Sequence, residues 1–200
     1  MWSRFKPRRL LWVLPAVVVA LVIACGRNPG APSNSSTLAV LITDSPFSDA
    51  QSLLVTFSEV SAHMSGGGWV TLPFSGGATT RTCDLKRLVN SAEDVLSTGP
   101  LTAGHYTDLR LTVSSATIYF QTATTNATPP CATAMTLASS TETGTPVTVS
   151  SGQLQLNRQF DVTGTTTTRI LLDFNGDSSV VATGNGAYRM TPVISVVSVQ

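Results

Sequence analysis

The chain has 200 residues, 12 Lys and Arg against 11 Asp and Glu, and a formal charge of +1. Four of the cations (Arg4, Lys6, Arg8 and Arg9) precede a long apolar run, and without them eight cations face eleven anions, about −3. That balance excludes a binder of phosphate backbones, which needs clustered cations, and no nucleic-acid partner is expected.

In chain order the first segment belongs to an address, not to a fold. The four cations form a basic start, residues 10–23 are almost wholly apolar, and the small residue Ala24 stands before Cys25. This is the three-part layout of a secretory signal. The run is about 14 residues long and is interrupted by Pro15. A membrane-spanning helix needs roughly 20 residues without such a break, so an uncleaved anchor is disfavoured. With Cys at the cleavage point, the segment resembles a bacterial lipoprotein signal. The resemblance implies that residues 1–24 are removed and that Cys25 carries several acyl chains, palmitate among them. One chain alone holds a protein only marginally. Gly26 stands where some families place an Asp for inner-membrane retention, which turns the expectation towards the outer membrane of a host that has one. Residues 25–36, with Pro29, Gly30, Pro32 and a run of Ser and Asn, read as a flexible tether.

The remainder is long enough for one domain with a real core, placed at 37–200. Its composition, rich in Thr, Ser, Val, Gly and Ala, suits strands and turns. Residues 37–43 (TLAVLIT) form a strand buried on both faces, ended by a turn at Asp44-Ser45-Pro46. Residues 53–63 alternate, with Leu53, Val55 and Phe57 on one face, and 69–72 return as a hairpin across Gly66-Gly67-Gly68. A loop follows at 73–80. Residues 83–96 show helical spacing in Leu85, Leu88, Val89, Ala92, Val95 and Leu96, with Asn90 as an internal cap and Gly99-Pro100 as the stop. Residues 106–120 are the longest strand signal. A Thr- and Ala-rich insertion with Pro129-Pro130 occupies about 121–146. Short strands at 147–150, 154–162, 167–174, 179–183 and 188–199 close the chain, separated by Gly152, Gly164, Gly176 and Gly184-Asn185-Gly186. The fold expected is mainly β, an antiparallel sandwich of immunoglobulin or prealbumin type with at most one short helix.

Few residues carry chemistry. With Cys25 lipidated, Cys83 and Cys131 remain, and in an oxidising envelope they are expected to form a disulfide; the alternative is two separate thiols. Neither has a second Cys or His at ligand spacing, so they are not expected to bind metal. His63 and His105 are the only histidines and fall on separate strand ends, and no Gly-x-Ser-x-Gly elbow, phosphate loop or dinucleotide pattern is present. No catalytic residue and no cofactor are expected. One weak Ca²⁺ candidate exists at Asp173-x-Asn175-Gly176-Asp177, where alternating oxygen ligands follow a Gly turn. Ser178 and Gly184 stand where a helix–loop–helix site requires Gly and Glu, so an acidic turn is favoured. Asp44 adds a ligand only if the strands bring it close. Trp69 and Tyr119 are candidates for stacking on sugars, with burial in the core as the favoured alternative.

Several segments resemble one family in order and spacing. They are Leu41-Ile42-Thr43-Asp44, Gly68-Trp69-Val70, Leu101-Thr102-Ala103-Gly104-His105-Tyr106 with Arg110-Leu111, Asp173-Phe174, Ser179-Val180-Val181, Thr183-Gly184-Asn185-Gly186-x-Tyr188 and Pro192-Val193-Ile194. Together they are similar to the bacterial lipoprotein family catalogued as domain of unknown function 4382, over roughly 37–199. The resemblance implies a β-sandwich on a lipid tether at the cell envelope and brings no assigned activity. Tyr106 is expected to pack at a sandwich corner with its hydroxyl on backbone. The function expected is a non-catalytic binding or structural module whose partner is an envelope protein or a glycan. A carbohydrate-binding or adhesion domain is the first alternative, and a hydrolase with an unrecognised site the second.

Overall fold

A computed structural model describes residues 35–45, 50–121, 129–135 and 143–200. The signal-like segment, Cys25, nearly all of the tether, Pro46 and much of the insertion lie outside the described residues.

Alternating apolar residues shape two sheets. The smaller is built from β1 (Ser35–Ser45), β5 (Asp94–Thr102), β10 (Thr167–Asn175) and β13 (Ile194–Val199), in the order β13-β10-β1-β5. The larger has nine strands centred on two long neighbours, β2 (Ser52–Met64) and β6 (Gly104–Tyr119). On the free side of β2 lie β3 (Trp69–Thr71) and β4 (Arg81–Asp84), and beyond β4 lies β7 (Cys131–Ala132). On the free side of β6 lie β8 (Thr145–Val149) and β9 (Gln153–Val162). Past β8 come β12 (Ala187–Met190) and β11 (Val180–Gly184). The mainly-β sandwich expected from the pattern of short strands is present. Its sheets are mixed, because β1 runs parallel to β10 and β8 parallel to β12. Periodicity reports which face is buried and carries no information on a partner's direction.

The core lies between the sheets. Leu38, Val40 and Ile42 of β1 face Val55, Phe57 and Val60 of β2, and all six are fully buried. Phe57 and Phe174 meet edge to face across the two sheets with centroids 6.4 Å apart. A bulge at Ser58 shifts the β2 alternation, so that Leu53, Val55 and Phe57 are followed inward by Val60 and Ala62. Tyr106 is fully buried, stacks on Phe160 and donates its hydroxyl to the Thr102 carbonyl at 2.9 Å, the corner arrangement expected from the sequence.

Three local expectations are corrected. The helix expected over 83–96 is not formed: β4, a 3-10 turn at Leu85–Arg87, a reversal and the start of β5 occupy that stretch. Leu85 and Leu88 are both buried, a spacing that one 3-10 turn also satisfies. Asn90 and Ser91 then take φ of 58° and 66°, which no continuous right-handed helix allows. Gly99 and Pro100 lie within edge strand β5, where a missing N–H is tolerated, and Gly99 packs so closely on Pro73 that a Cβ would meet its ring at 2.5 Å. Asp44 and Ser45 continue β1 instead of turning, because β10 pairs with them to its end. The last strand signal is two strands, since Pro192 sits in the break between β12 and β13. Among the described residues the one α-helix is a single turn, α1 (Gly176–Ser179).

Candidate functional site

The outer face of the nine-stranded sheet gathers most of the exposed chemistry. Residues directly opposite in a ladder point to the same face, so register defines the rows. One row is Trp69, His63, Asp108 and Asn157; the next is Thr71, Ser61, Arg110 and Gln155; the third is Glu59, Thr112 and Gln153. The alternate positions, Val60, Ala62, Leu109 and Leu111, are fully buried against the core. The Arg110 guanidinium carbon lies 3.7 Å from the Trp69 ring centroid, and the His63 ring is 5.1 Å from Trp69. Cation–π contact holds the indole at the sheet surface. Trp69 is half-buried, Ser61 is fully buried although it faces away from the core, and Thr71 is exposed. Larger neighbours therefore roof the Ser61 hydroxyl, which donates to Glu59 at 2.9 Å.

A bulge at Thr107 adds a hydroxyl to the first row. Thr107 donates to Asp108 Oδ2 at 2.6 Å, and Gln155 Nε2 donates to Asp108 Oδ1 at 3.0 Å. These two bonds hold the Asp108 carboxyl below its ordinary range. An ionised carboxylate only accepts, so the Thr107 hydrogen is committed to it. His63 Nδ1, 3.0 Å from the same hydroxyl, is then the donor and not its base. Next to Glu59 and Thr71 opens a cavity of about 310 Å³, bounded also by Ser58, Pro73, Phe74 and Ala78. A smaller hollow of about 140 Å³ on the four-stranded sheet is lined by Arg169 and Glu93, an ion pair at 3.0 Å.

Tyr119 does not join Trp69. It lies at the far end of β6, where it packs so closely on the Gly144 backbone that a Cβ there would meet its ring at 2.3 Å. His105 is likewise separate, with its own exposed partner Asp161 at 2.8 Å.

The parallel β1–β10 pairing does bring Asp44 to the acidic turn, which sequence alone could not show. Its Oδ1 accepts the Gly176 N–H at 3.2 Å. Two of the oxygen ligands of that turn are engaged by the protein itself: Asp173 accepts from the Ser45 hydroxyl at 2.9 Å, and Asn175 accepts from the Ser178 N–H at 2.8 Å as the cap of α1. Among the described residues no group of three or more His, Cys, Asp or Glu is arranged to hold a metal ion. Asp44 is 5% exposed, and its Oδ2 is buried without a hydrogen-bond partner. Burial, with Asp173 and Asp177 nearby, pushes this carboxyl up to about 8.

Cys83 and Cys131 form the disulfide, joining β4 to β7. Asp94 accepts the Cys131 N–H at 2.8 Å, and Arg81 donates to the Cys131 carbonyl at 3.1 Å. The middle of the insertion is thereby fastened to the sheet.

Sequence reading missed Glu59, Thr107, Asp108 and Gln155 as members of one surface. A signal existed: Asp108, Arg110 and Thr112 alternate with buried residues, and Gln153, Gln155 and Asn157 with the half-buried Leu154 and Leu156. Only the pairing of β6 with β2 and β9 makes these stripes one face.

The sandwich with a polar, Trp-bearing sheet face defines a β-domain of the kind that presents a rigid surface. The chain belongs to the family described as domain of unknown function (DUF4382), whose model matches residues 35–192. No curated protein and no solved structure matched the chain.

Proposed function

We propose that this protein is a lipid-anchored module of the bacterial cell envelope that binds a ligand without transforming it. The observation that carries the binding reading is the outer face of the nine-stranded sheet, where Trp69, Arg110, Asp108 and Gln155 are held in fixed register on paired strands. A surface built on rigid strands presents its groups with little ordering cost. The non-catalytic reading is supported by the Thr107 hydroxyl, whose hydrogen goes to Asp108 and not to His63. The signal-like start and Cys25 support the anchor.

Two measurements test this. Cys25→Ser is expected to abolish processing at that site and the lipid-dependent membrane association. A variant that still fractionates with membranes at the processed mass removes the anchor. A photo-crosslinker at Thr71 is expected to capture a discrete adduct in cells, whereas one at Thr183, on exposed β11, captures none. No adduct from Thr71, or the same adducts from both positions, overturns the binding face.

A further inference from the structure

We propose that the outer face of the nine-stranded sheet takes a neutral oligosaccharide, laid along the line from Trp69 to Glu59. The inference rests on the binding reading above and names its ligand class.

Charge decides first. Asp108 and Glu59 offset Arg110, and the guanidinium lies on the Trp69 ring. The chain beyond Cys25 is net acidic. A polyanion meets no excess of cations here, so the complementary ligand is uncharged.

Hydrogen-bonding chemistry decides next. The exposed groups of the face are hydroxyls and amides, Thr71, Gln153, Gln155 and Asn157, which donate and accept together. Gln153, Gln155 and Asn157 repeat along β9 at roughly 7 Å, and Thr71 stands three strands away at roughly 15 Å, a sparse grid on paired strands. A ligand studded with hydroxyls satisfies such a grid. An apolar peptide leaves it unpaired and costly.

The aromatic ring supplies the remaining element. Arg110 takes one ring face of Trp69 at 3.7 Å and fixes its attitude, while the indole stays partly exposed. The C–H side of a sugar ring packs on such a surface by burial and dispersion. His63, opposite Trp69, and Glu59 are four residues apart on β2, a span of about 13 Å at strand spacing. That length suits several linked rings rather than one. The cavity of about 310 Å³ beside Glu59 receives the terminal ring.

The molecule provides its own probe, because Trp69 is the only tryptophan after Cys25. The processed, full-length lipoprotein, in a detergent without sugar headgroups, is titrated with gluco-, xylo-, manno- and chito-oligosaccharides and with the anionic alginate. A saturable change in Trp69 fluorescence is expected with at least one neutral series. Gln155→Ala and Glu59→Gln are expected to weaken it tenfold or more without moving the melting temperature. Trp69→Ala, followed by calorimetry, is expected to abolish it. No saturable response to any neutral series, a response to alginate alone, or variants that bind like the parent each overturn the inference. Such a result leaves the binding reading standing as long as Thr71 still crosslinks a discrete partner, and that reading falls separately if Thr71 captures nothing.

Discussion

Asp44 shows how much one residue depends on its surroundings. Its carboxyl is buried beside Asp173 and Asp177, with Lys86 as the opposing charge and the Gly176 N–H on one oxygen. In the unfolded chain it titrates near 3.8, and in the fold it is pushed up to about 8. Below pH 4 both states hold the proton and its contribution to stability is fully present. As pH rises the unfolded state ionises first, so stability falls between about 4 and 8 and then levels off. Asp84, also raised by burial, acts in the same direction. Asp108, held low, acts in the opposite sense at acid pH, losing stability as pH falls through its folded value. Asp44→Asn keeps an acceptor for Gly176 and removes the titration. Its melting temperature is expected to vary much less than the parent's between pH 5 and 8. Parallel pH profiles by differential scanning calorimetry check this, and an unchanged slope refutes it. Tyr106→Phe removes the hydroxyl bond to Thr102 and leaves its carbonyl short of a partner. A loss of about 1 kcal/mol is expected by urea denaturation.

At the scale of elements, residues 81–102 carry the clearest lesson. Leu85, Leu88 and Val95 have spacings common to a helix and to a 3-10 turn leading into a strand. Tertiary partners chose the second: Cys83 is bonded to Cys131, and Asp94 accepts the Cys131 N–H. The bridge spans 48 residues and contributes about 2–4 kcal/mol by restricting the unfolded chain. Cys83→Ser with Cys131→Ser is expected to lower the melting temperature by about 5–15 °C. The parent in strong reductant is expected to match it. A thermal melt of both, with identical curves for oxidised parent and double variant, excludes any stabilising bridge. The hairpin between β11 and β12 was readable without partners, since Gly184, Asn185 and Gly186 take φ of 99°, 53° and 73°.

For the whole molecule, the Phe57–Phe174 contact holds one sheet on the other. Both rings are fully buried, and Phe57→Ala is expected to cost about 3–5 kcal/mol, read from chemical denaturation. The same stacking of sheets turns a polar stripe outward. Phe57, Val60 and Ala62 look to the core, so Glu59, Ser61 and His63 look away from it. Core and surface are two consequences of one alternation, and the proposed glycan face exists because the inner face is sealed.

What the amino-acid sequence determined by itself was local or compositional. The signal-like start, the strands at 37–43, 53–63 and 106–120, the Gly-Asn-Gly hairpin and the corner role of Tyr106 all follow from neighbours a few residues away. The Cys83–Cys131 pair was readable from the expectation that Cys25 is lipidated, which leaves two thiols, and that an oxidising compartment favours their union. Tertiary structure alone decided the parallel β1–β10 pairing that carries Asp44 to Gly176, and the fate of 83–96. It also decided the meeting of Trp69, Arg110 and Gln155. These depend on strands far apart in the chain, and a period of two states which face a residue shares without stating whose strand lies beside it.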